Sequence, residues 1–463
     1  MLLKSVSGDA DATAMSRSLR LPLLSFLAAL AAAALTAPAA LASFKAPCVE
    51  GGKGPKCTFW NAKAKFIADG DTIKAVIADD RTRTLQLVRF TGINAMELHR
   101  YSKYRNRRRG DCHGTDAAAF VGRYVRRSNW KVRLAAQHAS SRTGGRHRLR
   151  RSVWVKVDGR WRDLARLEME AGLALWLPND TEWAHNLEYH QLAEAAAAAQ
   201  RGLYDADSCS AGPDQDLPIS LTINWDADGG DNANRNDEWV DFHNAGVRPL
   251  SLKGWWFRDS WLRFNRPGIP GYEFPPTTVI PAGGTLRLRM GCGQNTALDL
   301  HWCQPASIFE NVSNGRRNIG DGGYLFDPNG DLRASQMYPC VVACVDPLAG
   351  KVNVDVHYST PELITISNTS PAPVDLAGHV LRLHYVGHKD SYIFGYAFRP
   401  GTILQPRESM LIHPGGGRGD TDTMRERYLR RGFYVLSDNG GVVSLRTATD
   451  MVTDCFSWGR GRC

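Results

Sequence analysis

Alternating apolar and polar residues mark two short segments in the N-terminal third of the chain. The period of two in Thr72–Ile77 and in Leu85–Phe90 predicts strands, because successive side chains of a strand point to opposite faces. The acidic pair at 79–80 lies between these segments and predicts the turn of a hairpin. Valines alternate in the same way over 153–157 and lead to Asp158-Gly159, a common hairpin turn.

Helical spacing appears after these strands. Apolar residues recur at 120, 121, 124 and 125 behind Thr115, which we expect to be an N-cap. Asp163 is expected to open a second helix that ends near Gly172, and Asp180-Thr181 a third that runs to residue 199. Strands that are segregated from helices predict an α+β fold for this part.

The chain changes character from residue 217 onward. Helical periodicity almost vanishes there, and glycine, proline and short β-like runs dominate. The segment EWVDFHNAGVRPLSLKG from Glu238 aligns without a gap on ELITISNTSPAPVDLAG from Glu362, and the same offset of 124 residues places FPPTT at 274 on FRPGT at 398. This shared offset predicts two copies of one β-sandwich.

The first 42 residues have the pattern of an export signal. An alanine-rich apolar run over 21–41 follows Arg17 and Arg20, and it ends in Ala40-Leu41-Ala42, a small-x-small cleavage pattern. We therefore expect cleavage after Ala42, secretion, and no stable membrane span in the mature chain. The alternative is a membrane anchor, because the run approaches spanning length.

The ten cysteines all follow the predicted cleavage site, and an even number in an exported chain predicts disulfides. Spacing alone does not fix the connectivity. The local pairings that we expect are Cys48–Cys57, Cys112–Cys209, Cys292–Cys303, Cys340–Cys344 and Cys455–Cys463.

A formal net charge of +10 indicates an anionic partner, either a nucleic acid or an acidic surface. Arginines cluster at 105–109 and at 142–151, which strengthens this interpretation. A solvated basic face is the alternative for either cluster.

Two groups of residues have the chemistry of a phosphate and cation site. Arg89 is in phase with Leu85 and Leu87, so we expect it to point to the barrel side, where Glu97 can be its partner. Asp69 and Asp71 flank Gly70, and their carboxylates suit a hard cation such as Ca²⁺. A plain Asp-Gly turn is the alternative for this short motif.

Together these segments resemble the staphylococcal nuclease (thermonuclease) family. The blocks that carry the resemblance follow one another in family order: DGDT at 69, VRFTGINAMEL at 88, GTDAAAF at 114, EAGLALWLPNDTEW at 170 and LAEAAAAAQRGLYD at 192. The resemblance covers residues 59–209 and implies a five-stranded OB-fold barrel with three helices. It also implies hydrolysis of DNA or RNA phosphodiester bonds to products that carry a 3′-phosphate.

The resemblance assigns roles to individual residues. Ca²⁺ is expected to bind the Asp71 and Asn94 side chains and the Ala95 carbonyl, with Asp69 acting through water. Glu97 is expected to orient and deprotonate the attacking water. Arg89 and a second arginine are expected to bind the phosphate oxygens, because phosphodiester cleavage passes through a state with extra negative charge.

The position of the second arginine stays open between three residues on one strand. Counting back from the hairpin at Asp158-Gly159 without a gap gives Arg150, a hairpin two residues longer on each arm gives Arg148, and the family's Gly-Arg dipeptide gives Arg146. All three share one face of a strand. We choose Arg148.

The loop at 88–98 departs from the family pattern, which has an aspartate and a proline where this chain has Asn94 and Met96. An amide oxygen still binds Ca²⁺, but the loss of a charge weakens the site. The expected function is a secreted calcium-dependent nuclease. The alternative is a catalytically inactive extracellular protein that binds nucleic acid or the cell surface, and a third hypothesis is a wholly adhesive surface protein.

The two predicted sandwiches resemble lamin tail domains, which are immunoglobulin-like, through NDEWVDFHNAGVRPLSLKGWWFRD and FPPTTVIPAGGTLRL. A polymer or cell-surface ligand is the usual inference for them. The acidic loop at 226–237 lacks the glycine at position six and the glutamate at position twelve of an EF-hand, so we interpret it as a polar loop rather than a calcium site.

The expected fold is an α+β OB-fold barrel followed by two all-β immunoglobulin-like sandwiches. The boundaries are a signal peptide at 1–42, an N-terminal extension at 43–58, the nuclease-like domain at 59–210, and the sandwiches at 217–345 and 350–463.

Overall fold

Strands make up most of the structure, and helices accompany only the first of three assemblies. The computed structural model describes residues 43–463 apart from 53, 79–83, 99–111, 139–140, 142–147, 208, 210–216, 262–263, 267–268, 313–318, 386–393, 416–421 and 432. The predicted leader, the turn at 79–80, the arginine cluster at 105–109 and Arg146 therefore lie outside the described residues.

A closed barrel forms the first assembly. Strands β2, β3, β4, β7 and β6 pair in that order, and β6 pairs back onto β2, which closes five strands into a ring. Its strands and helices are β1 Phe44–Pro47, β2 Lys56–Ile67, β3 Thr72–Ile77, β4 Leu85–Phe90, β5 Ile93–Ala95, α1 Gly114–Arg127, β6 Lys131–Ala136, β7 Arg148–Val157, β8 Arg160–Asp163, α2 Leu164–Glu170, β9 Ala174–Trp176 and α3 Asn186–Ala198. This arrangement agrees with the predicted five-stranded barrel and is compatible with an OB fold.

The hairpin predictions are confirmed. Strands β3 and β4 have the predicted bounds and pair antiparallel, and β7 turns at Asp158-Gly159 into β8. Asp163 is the N-cap of α2, and its carboxylate accepts a hydrogen bond from the Ala165 amide at 3.2 Å. The local signals were sufficient here because alternation and capping act over a few residues.

Two helix starts were predicted wrongly. Helix α1 begins at Gly114 with His113 as its N-cap, so Thr115 lies inside the helix. Helix α3 begins at Asn186 rather than at Asp180-Thr181. The segment before it forms a turn around Asn179, whose side-chain oxygen accepts from the amides at 181 (3.0 Å) and 182 (2.9 Å). Such side-chain to backbone bonds compete with helix formation.

Two β-sandwiches follow the barrel. Each contains a pair of four-stranded sheets, and the described residues add two short two-stranded ribbons in the first sandwich and one in the second. The first contains β10 Ile219–Asn224, β11 Trp239–Asn244, β12 Leu250–Ser251, β13 Trp256–Asp259, β14 Phe264–Arg266, β15 Ile269–Pro270, β16 Tyr272–Glu273, β17 Val279–Ile280, β18 Thr285–Arg289, β19 Asp299–His301, β20 Asp321–Phe326 and β21 Leu332–Tyr338. The second contains β22 Val352–His357, β23 Leu363–Asn368, β24 Val374–Asp375, β25 His379–Tyr385, β26 Phe394–Ala397, β27 Ile403–Leu404, β28 Ser409–His413, β29 Glu426–Tyr428, β30 Gly440–Thr447 and β31 Val452–Gly459.

The predicted repeat is confirmed at the level of single hydrogen bonds. Strands β11, β12, β17 and β18 start 124 residues before β23, β24, β27 and β28. The side-chain amide of Asn244 donates to the carbonyls of residues 248, 280 and 281, and that of Asn368 donates to those of 372, 404 and 405. Glu238 and Glu362 likewise accept from equivalent loop amides, at 308–309 and 435–436.

Disulfides join all ten cysteines in the five predicted pairs. This number of disulfides indicates an oxidising, extracellular type of environment. Within the described part of the chain, none of the helices combines the length and apolar character needed to cross a membrane.

The barrel and the first sandwich share one apolar core. Trp256, Tyr324 and Phe326 belong to the buried cluster that also contains the barrel interior, and the rings of Trp256 and Phe326 stack with centroids 4.4 Å apart. On α3, the carboxylate of Glu194 accepts from the Val341 and Val342 amides at 2.8 and 2.6 Å. The first sandwich is therefore packed against the barrel rather than tethered to it.

The second sandwich contacts the first through the acidic loop at 226–237. The guanidinium of Arg382 pairs with the Asp226 carboxylate at 2.9 Å and lies over the Trp225 ring, and Arg431 pairs with Asp228. The loop's first two carboxylates therefore hold the sandwiches together.

Helix α2 buries a carboxyl group in the barrel core. Glu168 is fully buried, and neither of its carboxyl oxygens has a hydrogen-bond partner among the described residues. Burial raises the pKa of Glu168 well above its usual range, with Asp69 adding to this effect and Arg89 opposing it.

We predict that Glu168→Gln stabilises the protein increasingly as pH rises above about 4.5. The unfolded chain releases this proton above that pH while the folded protein retains it, so the wild type loses about 1.4 kcal/mol per pH unit until the folded group also ionises. The glutamine variant has no such loss. Thermal unfolding of both proteins at pH 4 to 8 measures the difference, with Glu170→Gln as the exposed control on the same helix. An equal difference in melting temperature at every pH would contradict the prediction.

Candidate functional site

A tight turn between β2 and β3 carries the two aspartates that were singled out in the sequence. The amide of Asp71 donates to the Asp69 carboxylate at 3.1 Å, and the Ala68 amide donates to the Thr72 carbonyl at 2.9 Å. At Gly70 between them, an added Cβ would lie 2.6 Å from the Cβ atoms of both Ala95 and Ala117. A glycine is needed here because the turn is pressed against β5 and α1.

Asp71 is the centre of the hydrogen-bond network at this turn. Its carboxylate is 1 % exposed and pairs through Oδ1 with the Arg89 guanidinium and the Thr72 hydroxyl, the latter at 2.9 Å. Its Oδ2 accepts from the Ala95 amide at 2.8 Å. The single carboxylate therefore connects β3, β4 and β5.

Arg89 reaches Asp71 from the face of β4 opposite to the one we predicted. Val88 and Phe90 fill the barrel core, whereas Leu85 is 51 % exposed, so the phase of Leu85, Leu87 and Arg89 is the outer one. The prediction that Arg89 points to the barrel interior was wrong. Its side chain is nevertheless only 17 % exposed, and its guanidinium lies against Asp71.

Asn94 lies on β5, which pairs with β9 and is buried along its whole length. The side chain of Asn94 is 3 % exposed, and its Oδ1 has no hydrogen-bond partner among the described residues. An oxygen acceptor that is buried without a donor needs another partner. Together with the Asp69 and Asp71 carboxylates, this oxygen fits the ligand preference of a hard cation such as Ca²⁺. Ala95 contacts this group through its backbone amide, which donates to Asp71, whereas the sequence predicted a role for its carbonyl.

Glu97 follows β5 and lies among charges of both signs. Burial raises the pKa of Glu97, and the nearby Asp69 carboxylate raises it further, whereas the charges of Arg89, Arg148 and Arg258 lower it. The pKa of Asp69 is raised by burial as well, and Arg89, Thr72 and Arg148 oppose the shift. The two carboxyl groups and the arginines are thus close enough to influence one another.

Of the two described arginines proposed for the second phosphate contact, Arg148 is the one whose charge acts on both Asp69 and Glu97. Arg150 pairs with Arg89 in the parallel register of β4 and β7, and Arg148 lies opposite Leu87. Arg146 is outside the described residues. The electrostatic effect on Asp69 and Glu97 favours Arg148, whereas the register places Arg150 beside Arg89, and the role of Arg148 stays a prediction.

Two residues near the site were not found from the sequence. Glu168 interacts electrostatically with Asp69 and Arg89 from the core side. The sequence clue that could have identified it is a glutamate at a buried, otherwise apolar position of α2. Arg258 acts on Glu97 from the first sandwich. No local pattern identifies it, because it belongs to another domain.

A cavity lies elsewhere, between the two sandwiches. It has a volume of about 690 Å³, and Trp239, Arg287 and Arg289 line it from the first sandwich. Asp241 neutralises Arg287, and Asp299 neutralises Arg289. The charges of these two arginines are therefore balanced within the first sandwich.

A family model for the Lamin Tail Domain matches residues 219–339, which span β10 to β21. The comparison with curated proteins finds no match. The barrel lies outside the matched residues, so its likeness to nucleases stays a prediction from the sequence. Residues 219–339 form a lamin tail domain, and its sandwich is immunoglobulin-like.

Proposed function

We propose that the chain is a secreted calcium-dependent nuclease that hydrolyses phosphodiester bonds of DNA or RNA and leaves a 3′-phosphate. The observation that carries the proposal is the grouping of Asp69, Asp71, Asn94 and Glu97 with the charges of Arg89 and Arg148 beside one edge of a closed barrel. The order of nuclease-like sequence blocks along the barrel supports it. Five disulfides support action outside the cytoplasm.

The residues have complementary roles in this reaction. Asp69, Asp71, the Asn94 side chain and the Ala95 carbonyl would hold Ca²⁺, which when bound supplies positive charge beside the phosphate. Arg89 and Arg148 bind phosphate oxygens and stabilise the charge that develops on them.

Glu97 takes the proton of the attacking water. Its raised pKa makes the carboxylate a better base than an exposed glutamate, and the neighbouring arginines keep the charged form accessible. The buried position of Asp71 keeps the Arg89 guanidinium in one orientation.

A second candidate is an extracellular protein that binds nucleic acid without cutting it. Asn94 favours this alternative, because the amide supplies an oxygen but no charge, and cation affinity depends on ligand charge. The nuclease hypothesis is favoured by the other positions of the family pattern that this chain keeps, namely Glu97, Arg89, Asp71 and Asp69.

We predict that the purified protein digests plasmid DNA with Ca²⁺ and not with EDTA, and that Glu97→Gln slows digestion by about 10² to 10⁴-fold, the usual contribution of a general base. Glu170→Gln, an exposed glutamate of the same domain, is the control and should retain the wild-type rate. Absence of digestion at every calcium concentration, for DNA and RNA alike, would end the proposal and leave the binding alternative.

We also predict that Asn94→Asp lowers the calcium concentration for the half-maximal rate by about tenfold, because a carboxylate adds a charged ligand. The same variant should increase the calcium-dependent rise in melting temperature, which does not depend on catalysis. Asn129→Asp adds the same charge at an exposed position of the barrel domain and should change neither quantity. If Asn94→Asp behaves like this control, Asn94 does not touch the metal.

A further inference from the structure

The five strands that close the barrel contain no aspartate or glutamate, although each of them contains lysine or arginine. The carboxylates of the candidate site lie outside these strands, with Asp69 and Asp71 in a turn and Glu97 after β5. Lysine and arginine are therefore the charged residues of the barrel wall itself. A surface with charges of one sign attracts ligands of the opposite sign.

Three lysines of the wall form a row across neighbouring strands. Lys63 of β2 lies directly opposite Lys131 of β6 in the antiparallel register. Lys156 follows Val155, the partner of Val132, and so stands beside Lys131 on β7. Since adjacent strands are about 4.8 Å apart, the row is about 10 Å long.

The three side chains of this row point away from the barrel core. Each lysine is exposed, and its neighbours along the strands belong to the buried core, namely Ala62, Ala64, Val132 and Val155. Because side chains alternate along a strand, the lysines lie on the outer face. They are therefore accessible to a ligand.

The row has no acidic partner. Among the described residues, no carboxylate oxygen lies within 4.0 Å of the ammonium groups of Lys63, Lys131 and Lys156. Asp158, in the turn after β7, pairs instead with Arg127 at 3.1 Å. Like charges directly opposite each other in a sheet are destabilising. The Lys63–Lys131 pair therefore lowers the stability of the free protein, and a bound polyanion would remove this repulsion.

An arginine held between aromatic rings lies beside the row. Arg133 shares the outer face of β6 with Lys131, and its guanidinium carbon lies 4.1 Å from the ring centroid of Trp161 and 4.9 Å from that of Phe44. Trp161 is the cross-strand partner of Lys156. Basic side chains together with aromatic rings are typical of barrel surfaces that bind a single-stranded nucleic acid.

The row is separate from the candidate site. Strand β7 begins at Arg148, which belongs to that site, and reaches Lys156 about 26 Å further along the strand at the usual rise per residue. A small anion at the site cannot extend over this distance, whereas a polymer with regularly spaced charges can contact both places. The row therefore suits an extended polyanion.

We propose that Lys63, Lys131 and Lys156 form a second contact for the phosphate backbone of a single-stranded polynucleotide, remote from the site of cleavage. The inference rests on the proposed function for the class of its ligand. It adds a surface that binds the strand without taking part in the reaction. Each lysine acts as a positive point charge, so the row increases affinity and carries no base preference.

The experiment measures the binding of a fluorescein-labelled single-stranded oligonucleotide, long enough to reach from the site to the row, by fluorescence anisotropy of the full chain in EDTA. The glutamine variant combines Lys63→Gln, Lys131→Gln and Lys156→Gln. Over a series of salt concentrations we expect its salt slope to be smaller by about 2, since each phosphate contact on a single strand contributes about 0.7. This change corresponds to about 100-fold weaker binding at ~0.1 M salt. Replacement of the three lysines by arginine keeps the charges and should retain the wild-type slope.

The matched control combines Arg248→Gln, Lys253→Gln and Lys351→Gln, which remove the same charge from exposed positions of the two sandwiches and should leave affinity and slope unchanged. Thermal unfolding shows that the proteins are folded, and the glutamine variant should melt no lower than the wild type because the repulsion within the row is gone. Wild-type affinity and slope in the glutamine variant, or an equal loss in the control, overturn the inference.

A labelled polygalacturonate tests another class of polyanion. If the glutamine variant loses affinity for this polymer but keeps its affinity for the oligonucleotide, the row binds an acidic polysaccharide and the inference is overturned. Loss of affinity for the oligonucleotide, with polygalacturonate bound weakly by the wild type, supports it.

Cleavage assays separate this inference from the proposed function. A wild-type protein that never cuts, but whose affinity for the oligonucleotide falls in the glutamine variant, would end the proposed enzyme and keep the row as a binding surface. Cutting of the same strand by the glutamine variant with the KM and affinity of the wild type would end the role of the row alone.

Discussion

The buried carboxylate of Asp71 is the interaction on which the arrangement of the site depends. A carboxylate that is taken out of water needs partners, and Asp71 has a guanidinium, a hydroxyl and a backbone amide from three strands. The requirement fixes the position of Arg89 relative to β5. It also explains why Gly70 precedes it, because the turn must approach Ala95 and Ala117 too closely for a side chain.

Local sequence signals predicted the bounds of the strands well, but they did not predict which side of a strand faces the core. Alternation placed β3 and β4 at their observed bounds because it has a purely local cause. The same alternation does not say which face is inside, and two leucines in phase with Arg89 were assigned to the core that Val88 and Phe90 fill. The start of α3 was missed for a related reason, since Asn179 uses its side chain to form a turn where the composition favours a helix.

The repeat was predictable in detail because the two copies use the same polar contacts. Asn244 and Asn368 each close a loop against three carbonyls at equivalent positions, and such buried contacts constrain both sequence and spacing. The candidate-site residues Asn94 and Glu97 were also predictable, because they lie close together in the sequence on one short segment. Arg258 was not, because the contact of its domain with the barrel depends on tertiary packing over a large separation in sequence.

Arg258 and Arg382 occupy equivalent positions of the repeat but have different partners. In each copy the strand buries a guanidinium, and a buried charge needs hydrogen-bond or ion-pair partners. The second copy finds a carboxylate that the first copy supplies in its acidic loop, and the result is a rigid contact between sandwiches. In the first copy the guanidinium of Arg258 donates instead to the carbonyls of Asp259 and Ser260. The same strand position therefore forms an ion pair between domains in one copy and hydrogen bonds to its own backbone in the other, because the preceding domain differs.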